Sequence, residues 1–237
     1  MTRTVQYREL AHVIKQSIDD GQCRLTGKLP TEDNLMKLYG VTRYCVRNAV
    51  AVLQESGDVY PVQGSGMFVR ENKREGCLSL GQTRGLSAEF PGKTVQSTVL
   101  SLELEPVGDA LASRLKCKAS DMAYTVQRLR LVDGLPLALE RSTYLKRFIP
   151  YLSEEIAQGS IWEYLRNDLG LNTGFADKVL YADRLSSAEA EALGLNAGDP
   201  CLVVEDDVYL ANGEMFDASR VVYHYERAKF FTLADLK

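Results

Sequence analysis

The stretch Leu29-Pro30-Thr31-Glu32-Asp33-Asn34-Leu35-Met36-Lys37-Leu38-Tyr39-Gly40-Val41-Thr42-Arg43-Tyr44-Cys45-Val46-Arg47-Asn48-Ala49-Val50 decides how the N-terminal part of the chain folds. It holds two helix starts, at Thr31 and at Thr42. A threonine just ahead of an apolar-periodic run can cap a helix, because its hydroxyl accepts from a free N–H of the first turn. Glu32 and Asp33 follow the first cap, where negative charge complements the helix dipole. Leu35 and Leu38 are expected to face inward, and Gly40 breaks this helix. The second helix is expected over 42–56, with Val46, Ala49, Val50 and Leu53 as its inner face and Gly57 at its close.

Upstream, Leu10, Val13, Ile14 and Ile18 recur at helical spacing until Gly21. Downstream, Val59-Tyr60 and Met67-Phe68-Val69 flank the turn Gln63-Gly64-Ser65-Gly66, the pattern of a β-hairpin. Three helices and a hairpin make the winged form of helix-turn-helix, with a small helical subdomain lacking any DNA role as the alternative. The helix over 42–56 favours DNA. Its first turn offers Thr42, Arg43 and Tyr44, and Arg47 lies one turn on along the same exposed side. Arginine reads guanine bidentately and also grips phosphate, while a helix N-terminus attracts phosphate through its free N–H groups. Gln63, Gly64 and Gly66 are the wing candidates, the glycines allowing close backbone approach. Taken alone, Arg43 and Arg47 read equally as two solvated surface arginines.

These runs, with Leu53-Gln54-Glu55-Ser56-Gly57 and the segment from Gln63 to Val69, resemble the GntR family, whose pattern is LPSE-x-x-LA, GVSR-x-TVR-x-AL, L-x-x-EG and QGKGTFV. The order and spacing match through most of residues 1–70. Asp33 departs, standing where the family usually has a basic phosphate contact. Pro61, Ser65 and Met67 replace the usual Arg, Lys and Thr around the wing, which implies a weaker backbone grip or an altered operator.

The 237 residues, 45% hydrophobic and 25% charged, suffice for two domains with proper cores. No window reaches the roughly 18–20 apolar residues that span a membrane. The start Met1-Thr2-Arg3-Thr4-Val5-Gln6 lacks the apolar core of a signal peptide. Cys23, Cys45, Cys77, Cys117 and Cys201 are scattered, which reads as reduced thiols in a cytoplasm. His12 and His224 lie far apart, so no metal centre and no cofactor are expected. Residues 1–70 carry nine Lys/Arg against seven Asp/Glu, and the remainder 19 against 25. A local basic face suffices for DNA binding, and the small excess predicts modest non-specific affinity.

Residues 71–79 are polar and charged, and read as a linker. Beyond it the pattern turns α+β and repeats. A helix end at 111–115, a turn at 118–121 and a strand at 122–132 lead through Asp133-Gly134 to a return strand at 137–144. About 78 residues on, the same order returns: helix 188–195 capped by Ser186 or Ser187, strand 201–210, Asn212-Gly213 and return strand 214–225. Two hairpins with helices beside them make an antiparallel sheet, pseudo-twofold in layout. Between them, 153–169 reads as helical turns containing Trp162.

This half resembles the effector-binding UTRA domain of the HutC subfamily of GntR regulators, which has a chorismate-lyase-like fold. The carrying residues are the run from Arg128 to Glu140, Ser160-Ile161-Trp162-Glu163-Tyr164-Leu165, and the tail from Tyr223 to Phe230. The opening segment 80–95 matches poorly and looks shortened. Arg128 and Arg130 share a strand face, so they repel unless an anionic ligand or neighbouring carboxylates answer them. The resemblance implies that Arg128 and Arg130 hold the phosphate of a sugar-phosphate effector, with Ser160 and Trp162 as further contacts. It also implies that Glu140 and Asp217 accept hydrogen bonds from ligand hydroxyl or amine groups. Trp162 replaces a tyrosine, removing one hydroxyl contact. A two- or four-residue loop at Asp133-Gly134 turns Glu140 away from Arg128, and only an odd loop or a bulge brings them together. The aromatic tail from Tyr223 to Arg227 fits core, pocket edge or dimer contact.

The expected architecture is α+β: a winged helix-turn-helix over 1–70, the linker, and an effector-binding and dimerisation domain over 80–237. The expected function is a homodimeric, ligand-responsive regulator on a palindromic double-stranded operator, a repressor more than an activator, taking a small anionic effector. A regulator whose C-terminal half only dimerises or binds protein is the alternative. It predicts arginines paired internally and no cavity. A lyase-like enzyme is a weaker alternative, since no histidine stands near a plausible nucleophile and fold alone does not carry function.

Overall fold

In the computed structural model, which describes residues 7–23, 26–70, 76–81, 85–90 and 92–232, both threonine caps form. The Thr31 hydroxyl accepts from the Asn34 N–H and the Thr42 hydroxyl from the Cys45 N–H. They start α2 (Glu32–Tyr39) and α3 (Arg43–Glu55), which follow α1 (Tyr7–Asp19). The described residues form two compact units, one N-terminal and one spanning Gly76–Thr232.

The core of the N-terminal unit gathers Leu10, Ala11 and Ile14 of α1, Leu35 of α2, and Val46, Ala49 and Leu53 of α3. Fully burying a Leu or Ile contributes about 1.5–3 kcal/mol, and this packing keeps a helix as short as α2 formed. Val50 is half-buried at the margin of that core. Leu38 does not face inward as expected: it is 65% exposed. A short helix pressing one face on α3 seats Leu35, and a residue three positions on lies about 60° round the helix. Val13 is displaced from the Leu10–Ile14 stripe and exposed for the same reason.

The wing is β1 (Val59–Val62) against β2 (Gly66–Val69), joined by Gln63-Gly64-Ser65. On the other side of β2 the Leu29 N–H donates to the Met67 carbonyl and the Val69 N–H to the Gly27 carbonyl. Residues 27–29 thus extend the wing. Pro61 stands on the outer strand, where proline is tolerated, and Met67 packs against the core.

The second unit runs β3 (Leu78–Ser79), α4 (Leu86–Glu89), β4 (Val95–Pro106), α5 (Gly108–Leu115), β5 (Met122–Val132), β6 (Leu135–Leu145), α6 (Glu154–Gln158) and α7 (Ile161–Glu163). After a π-helical turn over Tyr164–Asp168 come β7 (Thr173–Arg184), α8 (Ser187–Leu193), β8 (Pro200–Leu210), β9 (Met215–His224) and β10 (Phe230–Phe231). Six strands form one antiparallel sheet in the order β4-β5-β6-β9-β8-β7. The repeat places β4–β5–β6 opposite β7–β8–β9 about the central β6–β9 pair. The long outer strands β4 and β7 were not anticipated. On one sheet face α5 and α8 bury Leu115, Leu139, Leu193 and Val222; on the other, α6 and α7 pack over Tyr124, Val126 and Tyr144.

The hairpin at Asp133-Gly134 is a two-residue loop with φ of 52° and 77°, the left-handed pair that a tight hairpin needs. Beyond it the register shifts: Leu131 faces Pro136 but Arg130 faces Ala138, so Leu137 is a bulge. The second hairpin has its bulge at the matching place, Tyr209 facing Met215 and Val208 facing Asp217, with Phe216 extra.

The expected linker needs correction at its end. Leu78 and Ser79 form β3, paired in parallel with β10, so the C-terminal unit starts at Gly76 and not at 80. The rest of the linker, 71–75, lies outside the described residues, as do the start 1–6 and the end 233–237.

Candidate functional site

Two candidate sites emerge, one in each unit. In the first, α3 buries Val46 and Ala49 completely while Arg43 and Arg47 keep side chains 52% and 64% exposed. Tyr44 is 75% exposed, and its carbonyl accepts from the Asn48 amide. The start of α3 thus projects Arg43 and Tyr44 outward from an apolar underside, with Arg47 one turn on and Thr42 spent on the cap. Both guanidiniums are held by the first turn of α2. Arg43 Nη2 pairs with Asp33, and Arg47 Nε reaches both carboxylate oxygens of Glu32 at 3.1 Å. Neither pairing was anticipated, because its partners lie on different helices.

Gln63, Gly64 and Gly66 are exposed at the wing tip. Gly66 has φ of 100°, and a Cβ there would come within 3.1 Å of Lys28 Cε, so only glycine fits without displacement. Lys28 lies along the wing with its ammonium 5.7 Å from the Phe68 ring centre, a cation that sequence reasoning missed. Arg70, over the Tyr60 ring at 5.5 Å, is a second.

The second site is an open cleft of about 820 Å³, counting the solvent at its mouth, on the α6–α7 side of the sheet. Its floor follows the strand period of two: Ala138, Glu140, Ser142 and Tyr144 on β6, Asp217, Ser219, Val221 and Tyr223 on β9, and Val204, Asp206 and Val208 on β8. Its wall is the chain just after the linker, Leu78, Ser79, Leu80, Gly85, Leu86 and Glu89, with Trp162 beside Gly85. The Ser79 N–H donates to Glu89, tying β3 to α4.

The bulge at Leu137 brings Glu140 directly opposite Arg128 and onto its face. Glu140 accepts from Arg128 Nη2 at 2.8 Å, from Arg130 Nη1 at 3.0 Å and from the Ser142 hydroxyl at 3.2 Å. Of the two answers open to the arginine pair, the neighbouring carboxylate is present, and a cavity stands beside it. Of the expected effector residues, Arg130, Glu140, Trp162 and Asp217 line the cleft; Arg128 and Ser160 do not. Arg128 is 1% exposed, on the same sheet face but covered by the end of α6, where its Nη1 donates to the carbonyls of Ala157 and Gly159. Ser160 caps α7, accepting from the Glu163 N–H.

Burial works to raise Glu140, but the two guanidiniums and their hydrogen bonds outweigh it and hold the carboxyl at about 2. Asp217 goes the other way. Burial, then the charges of Glu140 and Asp206, push it well above the ordinary range. Its Oδ1 is buried without a hydrogen-bond partner. Asp206 is answered by Lys178 at 2.7 Å. Sequence reasoning missed Asp206, Lys178 and Tyr144, while Tyr223 of the aromatic tail stands at the pocket edge, one of the places open to it. The repeat carried a signal for the first, since Asp206 occupies the place in β8 that Arg128 holds in β5.

Two family models match the chain: "Bacterial regulatory proteins, gntR family" over residues 6–69, and "UTRA domain" over 91–229. Among relatives, the uncharacterized HTH-type transcriptional regulator YydK of Bacillus subtilis (strain 168) is 35% identical over 98% of both chains. The HTH-type transcriptional regulator TreR of the same strain is 29% identical over 93% of both. Its HTH-type transcriptional repressor NagR is 27% identical over 97% of this chain and 94% of its own. The crystal structure of YydK superposes with a TM-score of 0.86, covering 96% of this chain and 99% of that one at 35% identity. The effector-binding domain of the B. subtilis trehalose repressor TreR superposes on 60% of this chain and 99% of its own, with a TM-score of 0.55 and 27% identity.

Proposed function

We propose that this chain, which belongs to the GntR family of bacterial regulatory proteins and carries a UTRA domain, is a homodimeric repressor whose hold on a palindromic operator is loosened by a small anionic, sugar-derived metabolite. It is a DNA-binding transcriptional regulator and not an enzyme. One observation carries the reading: Arg43 and Arg47 face outward from a helix whose opposite side is fully buried. Thr42, Arg43, Tyr44 and Arg47 then enter the major groove, and Gln63, Gly64 and Gly66 follow the backbone with the wing. A twofold protein reads a twofold site, which makes the operator a palindrome.

The cleft takes the effector. Arg130, whose Nε is unspent, meets the anionic end; Glu140 and Asp217 meet hydroxyl or amine groups; Trp162 gives an apolar wall. Arg128 and Ser160 act from behind, Arg128 holding Glu140 and the end of α6, and Ser160 holding the turn that carries Trp162. The sugar-derived class is supported by the relative called a trehalose repressor, and the repressor role by that protein and NagR. Because the cleft wall is the chain leaving the linker, a bound ligand acts on the segment leading to the DNA-binding unit.

The test takes the duplex that the protein enriches from a random-sequence pool and the sugar phosphate that most raises its melting temperature. Adding that compound should weaken duplex binding by about 5- to 150-fold, the usual range of allosteric coupling. No enriched duplex overturns the operator reading. A tight binder that leaves duplex affinity unchanged overturns the effector reading.

A further inference from the structure

We propose that Asp33 makes Arg43 a reader of guanine instead of a clamp on phosphate, so that a residue of the helix preceding α3 helps select the operator. The inference rests on the reading that α3 lies in the major groove. In that placement α2 crosses the sugar–phosphate backbone, and the free N–H groups of its first turn face a polyanion. This chain sets two carboxylates there, Glu32 and Asp33, which repel the duplex unless answered. They are answered by the two arginines that α3 offers to the groove, Arg43 to Asp33 and Arg47 to Glu32.

The physical consequence is a separation of charge from direction. The four groups sum to zero, so they add nothing to the long-range attraction that drives phosphate binding. What survives is geometry. A guanidinium has five N–H donors in a planar fork, and Asp33 engages Nη2 alone. The remaining donors can meet the O6 and N7 of a guanine, a contact that requires the plane to be set. Held by a residue ten positions away on another helix, Arg43 has fewer rotamers to lose when it meets the base. Arg43 is also the first residue of α3, the end that enters a groove deepest.

The experiment compares Asp33→Asn, Arg43→Lys and the double variant with the wild type, on the duplex the wild type enriches and on a scrambled duplex, across a salt series. Asp33→Asn keeps the shape and frees Arg43, so affinity for the scrambled duplex should rise. The salt slope should steepen towards one further phosphate contact, about 0.9 in log–log terms. The preference for the enriched duplex should fall about tenfold, concentrated at a guanine. Arg43→Lys, which keeps the charge but lacks the fork, should lose the same guanine preference, and Asp33→Asn should add nothing in that background. Should Asp33→Asn keep the wild-type preference, or act as strongly in the Arg43→Lys background as it does alone, the inference fails while the DNA-binding reading stands. If the wild type enriches no duplex, both fail together.

Discussion

At Asp217 the fold has buried a carboxyl beside Glu140 and Asp206 and left one of its oxygens without a hydrogen-bond partner. With its pKa raised by burial first and by those two charges next, the folded chain keeps a proton that the unfolded chain releases above about 4. The native state then binds more protons than the unfolded one, so this residue's contribution to stability falls as pH rises from there towards the raised value. Glu140 has the opposite sign but another window: held at about 2, its contribution is lost only in acid below its ordinary 4.5. Asp217→Asn should therefore raise the melting temperature, with a gain that is larger at pH 8 than at pH 5. Thermal melts across that range check it, and taking variant minus wild type removes the contrary slope of His224, whose pKa burial lowers. A gain flat across the range would mean that Asp217 is ionised in the folded protein.

Among elements, the two matched bulges do the most to build the cleft. The residues opposite Arg128 and Val208 face the cleft only because Leu137 and Phe216 each interrupt the pairing of a tight hairpin. Glu140→Leu keeps the bulge but leaves Arg128 buried with its charge unanswered. Breaking a buried pair in this way costs about 3–5 kcal/mol, to be read from urea denaturation. A substitution that costs nothing would show that Glu140 is not what answers Arg128. Both hairpins were legible from Asp133-Gly134 and Asn212-Gly213, since the turn chemistry is local. Neither bulge was, because an extra residue is a compromise between a strand and its partner, and no single residue type announces it. The strands β4 and β7 escaped notice for a related reason: as outer strands their alternation is blurred by exposed apolar residues.

For the whole molecule, those outer strands bear on assembly. Each is 12 residues long, and they expose Leu100 and Leu104 on β4 and Phe175, Val179 and Leu180 on β7. A long apolar sheet edge is a template for pairing with another chain, and a lysine on it is the usual deterrent. If these edges hold the proposed homodimer together, Val179→Lys or Leu104→Lys should shift it to monomer in sedimentation while leaving monomer stability within about 0.5 kcal/mol. A dimer that survives both would place the interface elsewhere. No helix among the described residues is long and apolar enough to cross a membrane.

By itself the sequence determined the order of helices and wing, the caps at Thr31 and Thr42, the outward Arg43 and Arg47, both hairpins and the family pattern. All of these are written in residues a few positions apart, where capping, periodicity and turn chemistry act. Only the tertiary structure decided that Glu140 meets Arg128, that the end of α6 covers Arg128, that Asp33 and Glu32 hold the outward arginines of α3, and that Leu78–Ser79 pairs with Phe230–Phe231. Those contacts join residues from 10 to more than 150 positions apart. A one-residue change of register reverses which face a strand side chain occupies, so the matter is settled by packing between distant segments and not by local preference.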